Sequence, residues 1–298
     1  MPLNRNFILI LIVTFLFTSS CIGLFRSSNS SKDIDSNNVI SDVRSATGAI
    51  NEKSLMIASE NAELVFVHEK PSTIHVSTTG TEDGSSEDNP INLEHALLSD
   101  NVIPGDTILL HNGIYSGNFI STTTGNATNE IIIKAKNAYK AIINGGLQIG
   151  DLSSKRGAYT VVRNLRIYCS DTPRGKWDDP QGSNIRPTGI FNAAPNCRFI
   201  NNIIHDGGIG LASQQRSENS TIYGNIVFNN GAPDDLLGYA QSIYWQGTGK
   251  IIKHNVFAGG FKRTFNGFGT RAFIKNCDVL ANVIFARGSA LVGSIYNE

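Results

Sequence analysis

The chain has no excess charge of either sign, because 25 Lys and Arg balance 25 Asp and Glu over 298 residues. It also contains no run of five or more Lys or Arg. No global field or basic tail draws it to nucleic acid or to anionic lipid, so no nucleic-acid partner is expected. Cysteine is scarce, with four residues. Once Cys21 is removed or modified, the remaining Cys169, Cys197 and Cys277 are odd in number and cannot complete a disulfide framework. The apolar run Phe7 to Phe17 is about eleven residues long, short of the roughly 20 that a helix needs to span a bilayer.

That run follows Arg5 and precedes Thr18, Ser19 and Ser20, the order of charged, apolar and small residues in a secretory signal. A secreted or cell-envelope location is therefore expected. Cys21 after Ser19 and Ser20 resembles the lipid-modified cysteine of bacterial lipoproteins, with Thr18 where that motif usually carries Leu. Two outcomes stay open: a lipid anchor on Cys21, or cleavage nearby that releases a soluble chain. Residues 22–71 open on the polar stretch Arg26 to Lys32 and show little apolar periodicity before Leu55, so they read as a tether.

Beyond residue 72 an Asn followed by aliphatic residues recurs: Asn164-Leu-Arg-Ile, Asn202-Ile-Ile-His, Asn225-Ile-Val-Phe, Asn255-Val-Phe-Ala and Asn282-Val-Ile-Phe. The intervals of 38, 23, 30 and 27 residues lie in the solenoid range, with their variation absorbed by loops on one face. A second β-prone run follows each of the last four phrases, beginning at Gly208, Gln241, Thr264 and Ser289. Stacked coils put the Asn side chains at a buried bend, each donating to the next coil and accepting from the previous one. The expected fold is all-β, a right-handed parallel β-helix over residues 72–298. Asn89 and Pro90 read as the N-cap and first residue of a short capping helix from Ile91 to about Leu98. No comparable cap follows Ile295-Tyr-Asn-Glu. Cys197 and Cys277 share a stack position three coils apart, roughly 14 Å at about 4.8 Å per coil, which no disulfide bridges.

The segments Pro104-Gly-Asp-Thr-Ile-Leu-Leu-His-Asn-Gly-Ile-Tyr, Glu130-Ile-Ile-Ile-Lys-Ala and Ala141-Ile-Ile-Asn-Gly-Gly resemble the N-terminal coils of pectate-lyase-superfamily β-helices, closest in style to the chondroitinase and alginate lyase branch. Ile204 through Gly231 resembles the right-handed parallel β-helix repeat proteins. The resemblance implies an exported carbohydrate-active protein that cleaves or epimerises a uronate polysaccharide. In such chemistry a cation neutralises the carboxylate while a Lys, Arg, His or Tyr takes the C5 proton. The Asn-Gly-Glu-Ala and Arg-His-Gly-Asn signatures of the chondroitinase-like branch are absent. The alternative is a non-catalytic surface module that binds a glycan or a protein.

Strand alternation places Ile209, Ile243 and Phe265 inward and Gly210, Tyr244 and Asn266 outward. Tyr244 with Gln246 and Asn266 is what a sugar-stacking surface uses, although an exposed Tyr more often only covers its neighbours. His205, beside Asp206, and His254 are titratable groups at the starts of turns, where most His are structural. Arg271, with Lys262 and Arg263, supplies cations for an anionic sugar or merely a solvated surface. Candidate catalytic residues are thus His205, Tyr244 and Arg271, and candidate sugar contacts are Trp177, Gln246 and Asn266. Asp178-Asp179 and Asp234-Asp235 lie in the longest loops. They are hard oxygen ligands of the kind calcium takes, but they lack the regular spacing of a calcium loop and equally suit solvated turns.

Overall fold

A computed structural model describes residues 55–57, 65–67 and 69–294 apart from 99–101, 152, 155, 171–173, 175–185, 233–239, 270–273 and 287–288. The chain divides into two units, Met1–Lys70 and Pro71–Glu298. In the first, Leu55–Ile57 and Val65–Val67 pair antiparallel, within the stretch that reads from sequence as a tether. The second is a right-handed parallel β-helix.

Three faces, called A, B and C here, succeed one another in each coil. Face A is a sheet of eight parallel strands running in stack order from Thr73–Val76 to Asp278–Leu280. Face B holds Arg166–Tyr168, Ile203–His205, Ile226–Phe228, Val256–Ala258 and Val283–Phe285. Face C holds Ile190–Asn192, Ile209–Ser213, Gln241–Trp245, Arg263–Gly269 and Ser289–Ser294. In the early coils B and C are a single strand. Ala141–Ile149 pairs with Arg166–Tyr168 through its first half and with Ile190–Asn192 through its second. Between the halves lies Gly145 at φ 146, where a Cβ would collide with the Gly117 carbonyl of the coil before. Glycine lets two long strands stack at the point where later coils bend.

One apolar row from each face fills the interior. Ile133, Val162, Phe199, Ile222 and Ile252 come from face A, Ile143, Ile167, Ile204, Val227 and Phe257 from face B, and Leu147, Ile190, Leu211, Ile243 and Phe265 from face C. Each is at most 1% exposed, and burying such a side chain stabilises by about 1.5–3 kcal/mol. Leu211, not Ile209, occupies the inward position opposite Ile243. In the strand Ile209–Ser213 the partly buried Ile209 is followed by two consecutive buried residues, Gly210 and Leu211, and Gly210 closes on Val227 of face B. That extra inward residue shifts the alternation by one.

The bend between faces A and B carries the asparagine ladder. Asn225 donates from Nδ2 to Asn255 Oδ1 at 3.0 Å and to the Phe199 carbonyl at 2.9 Å. Its Oδ1 accepts from Asn202 N and Nδ2 at 2.9 and 3.0 Å. Asn202, Asn255 and Asn282 repeat the pattern. Asn164 stands one place earlier, in the left-handed turn position (φ 62) shared with Asn201, Gly224, His254 and Ala281. Asn tolerates that conformation better than most residues. Leu165 takes the ladder position instead, its N–H donating to Asn202 Oδ1 at 3.0 Å.

The helix is a single turn, Leu93–Ala96, with Asn92 as N-cap accepting from His95 N. It starts later than Asn89 and Pro90 suggest because Ile91 is held in a parallel bridge to Val76. Leu93, Ala96 and Leu97 enter the core. The three cysteines of the β-helix are free, with Cys197 buried and Cys277 partly so. Strand register carries Arg198 to Thr221, Ile251 and Asp278, so the preceding residues Cys197 and Cys277 stand three coils apart, as spacing suggests.

Candidate functional site

The outward side chains at the ends of the face B strands form one row in register: Asn144, Tyr168, His205, Phe228, Ala258 and Phe285. His205 lies between two rings, 5.4 Å from Tyr168 at 8° and 4.8 Å from Phe228 at 11°. A parallel coil spacing near 4.8 Å stacks planar rings from consecutive coils without distortion. Arg166 lies with its guanidinium 5.2 Å from the Tyr168 ring centre, and its Nε donates to His205 Nε2 at 3.0 Å.

Guanidinium nitrogens only donate, so His205 Nε2 is the accepting nitrogen and the ring hydrogen sits on Nδ1. That Nδ1–H donates to Asp206 Oδ2 at 2.5 Å. At pH 8 the 15N shifts of His205 are therefore expected to show the Nδ1–H tautomer. Shifts of the Nε2–H tautomer, the commoner form of a free imidazole, would contradict this pairing.

Asp206 follows the strand in the left-handed conformation (φ 60), as Asn229 (φ 54) and Gly259 (φ 56) do one and two coils on. This turn directs the carboxylate along the corner between faces B and C. There it accepts from Asn229 Nδ2 at 2.7 Å and from Arg174 Nη2. Arg174 also donates to the Gly231 carbonyl at 2.6 Å and lies 5.0 Å from the Phe261 ring centre, so it crosses three coils. Arg186 donates to the Asp206 carbonyl at 2.8 Å and stands 4.0 Å from its carboxylate. Burial pushes the Arg174 guanidinium down from its ordinary pKa, Arg186 adds to that push, and Asp206 opposes it. Among the described residues, two guanidinium groups, those of Arg174 and Arg186, converge on the Asp206 carboxylate, and a third, that of Arg166, is bonded to the neighbouring His205 ring. The corner therefore gathers guanidinium groups of the kind that bind carboxylates.

A second polar row lies on face C. Tyr244 is half-buried, and its hydroxyl donates to Gln246 Oε1 at 3.3 Å, while Gln246 Nε2 donates to Gln214 Oε1 at 2.9 Å. Asn266 pairs with Tyr244 in register. It is only 1% exposed, its Nδ2 donating to Gln241 Oε1 at 2.9 Å, so it shares the face of Tyr244 but is covered from solvent. The structure thus joins Tyr244, Gln246 and Asn266 on one face and puts His205 at the neighbouring corner. Trp177, Asp178, Asp179, Asp234, Asp235 and Arg271 lie outside the described residues. Among the described residues no group of three or more His, Cys, Asp or Glu is placed to hold a metal ion, and no helix is long and apolar enough to cross a membrane.

Sequence reasoning missed Tyr168, Arg166 and Arg186, and marked Arg174 only as one of the charges around Trp177 in a loop suited to sugar contact. The signal for Tyr168 was present: it ends a strand as His205 and Phe228 do. Aligning Asn164 with Asn202 slipped that coil by one residue, which moves every side chain to the opposite face and hid the row. Arg174 and Arg186 lie in the long insertion, where no repeat fixes a position.

No protein-family profile matches the chain, and no curated protein matches it. Solved structures do. The crystal structure of pectate lyase Pel9A superposes with a TM-score of 0.51 at 16% identity, covering 76% of this chain and 58% of that one. An alginate lyase from Paenibacillus sp. str. FPU-7 gives 0.46 and 17%, covering 72% and 76%. A mannuronic acid specific polysaccharide family 6 lyase from human gut microbiota gives 0.36 and 16%, covering 72% and 52%. The chain thus spans 58% of the length of the pectate lyase chain. The fold is a parallel β-helix, the architecture of the pectate lyase structure.

Proposed function

We propose that this chain is an exported, carbohydrate-active β-helix that binds an acidic, uronate-containing polysaccharide across the corner between faces B and C. The observation that carries the reading is the convergence of Arg166, Arg174 and Arg186 on the His205 and Asp206 pair. A sugar carboxylate docks on the guanidinium groups of this corner, and pyranose rings run on to Tyr244 and Gln246. The pectate lyase fold supports a polysaccharide ligand by analogy. The secretory signal order at Arg5 to Ser20 supports a site outside the cytoplasm, free or tethered through a lipid on Cys21.

The chemistry we assign is removal of the uronate C5 proton. In the resting protein Arg166 occupies His205 Nε2, so His205 has no free lone pair. A substrate carboxylate draws the Arg166 guanidinium onto itself, which neutralises that carboxylate and exposes Nε2 beside C5. His205 then takes the proton while Asp206 stabilises the imidazolium from Nδ1. For cleavage, the C5–H electron pair becomes a C4–C5 double bond as the C4–O bond breaks, and the departing oxygen takes a proton from solvent. For epimerisation, a proton from solvent reaches C5 on the opposite face, and His205 gives the proton it took to solvent.

The test is incubation with pectate, alginate and chondroitin at several pH values, with calcium and with a chelator. Absorbance in the unsaturated-uronate band, or an altered uronate composition, is the expected result, lost in His205→Gln with binding retained. No absorbance, no new reducing ends and no changed composition on any substrate would contradict the catalytic step. That outcome would leave the second reading, a non-catalytic glycan-binding module, which is favoured by the full engagement of both His205 nitrogens in the free protein.

A further inference from the structure

The bend from face C to face A also repeats. Tyr159, Asn196, Asn219, Gly249 and Asn276 are its left-handed residues, and Thr160, Cys197, Ser220, Lys250 and Cys277 follow them. Four of these side chains are small. The fifth is a lysine with 0% exposure.

Lys250 Nζ donates to the Ser217 carbonyl, to Ser217 Oγ at 2.7 Å and to the Gln214 carbonyl at 3.3 Å. An ammonium has three protons to give, and three oxygens receive them. All three belong to the 214–217 turn of the coil before. Gln214 also holds Gln246 from its side chain, and Gln246 holds the Tyr244 hydroxyl. The lysine is thus linked through one short turn to the polar row of face C.

We infer that Lys250 is a positioning residue that sets the Gln214, Gln246 and Tyr244 row for a glycan while it is protonated and loosens that row when it loses its proton. The neutral amine has two hydrogens for three acceptors, so one tie to the turn is lost. Burial pushes Lys250 down from the ordinary 10.5 to about 7, against smaller opposing effects of Cys277, Cys197 and Glu218. Cys197, behind face A, has itself been pushed up to about 12 by burial and remains a neutral thiol. Among the described residues Glu218 is the only carboxylate acting on the amine. Among the described residues no carboxylate is hydrogen-bonded to it, so none of them locks the charge in place.

The sign of the stability effect follows. Between about pH 7 and 10.5 the unfolded chain binds a proton at Lys250 that the folded chain does not, so stability rises with pH across that window. Below pH 7 the cost of burying the charge is fully present.

The inference rests on the glycan reading only for what the row binds. With 13C-labelled lysine, one side-chain resonance of the wild-type protein is expected to titrate near pH 7, the others near their ordinary values. The side-chain amide signals of Gln214 and Gln246 should shift with the same midpoint and cease to do so in Lys250→Met. Affinity for a uronate oligosaccharide should fall several-fold between pH 6 and pH 9, where the sugar itself does not titrate. No lysine titrating below pH 9 in the wild type, or glutamine amides that stay fixed through the transition, would overturn the proposal. Moving amides with no glycan bound at any pH would uphold it and count instead against the proposed function. The wild-type spectra decide the matter even where the variant fails to fold.

Discussion

Asn225→Ala is expected to destabilise the β-helix by about 3–5 kcal/mol, because the cost of an unpaired buried polar group is about 1–3 kcal/mol and this change leaves several. Asn225 accepts from both the backbone and the side chain of Asn202 and donates across to Phe199 and Asn255. It is 0% exposed, so water cannot replace what the side chain supplies. Urea unfolding reads the loss as a lower midpoint. A change below about 1 kcal/mol would mean that the ladder merely accompanies the apolar rows and does not hold the coils in register.

Arg174→Ala combined with Arg186→Ala is expected to weaken binding of a uronate oligosaccharide on the order of 100-fold. A charged hydrogen bond contributes about 1.5–3 kcal/mol, and each 1.4 kcal/mol is tenfold in affinity. Both arginines lie on Asp206, so their loss also leaves that carboxylate without its cations and turns the local charge against an anionic sugar. Wild-type binding should weaken with added salt, since the corner is partly open to solvent. Calorimetric titration of wild type and variant at low and moderate salt checks both statements. Equal affinity for the two proteins would move the carboxylate elsewhere.

The fold could be read from sequence because its constraints repeat. A buried amide at one bend must be satisfied by the next coil, so Asn202, Asn225, Asn255 and Asn282 recur, and the aliphatic residues after them keep the period of a strand. Asn164 misled because two bend positions accept asparagine for different reasons. One place uses the amide as a buried ladder rung, and the place before uses its tolerance of positive φ. Ile209 misled because strict alternation fails where Gly210 and Leu211 both turn inward. The site was less legible. His205 and Tyr244 stand out as residue types, yet what surrounds His205 depends on stacking across coils and on an insertion whose arginines have no periodic place. Lys250 looked like any other lysine until its register with Cys197 and Ser220 put it inside.

The central claim is that carboxylate recognition sits at the arginine corner. The most direct measurement is calorimetric titration with a uronate oligosaccharide and with its carboxyl-reduced, neutral counterpart of the same length and linkage. The account predicts at least tenfold tighter binding of the acidic sugar, a preference that the Arg174→Ala, Arg186→Ala variant loses. Equal affinity for the neutral sugar, or an acidic preference that survives in the variant, would contradict it.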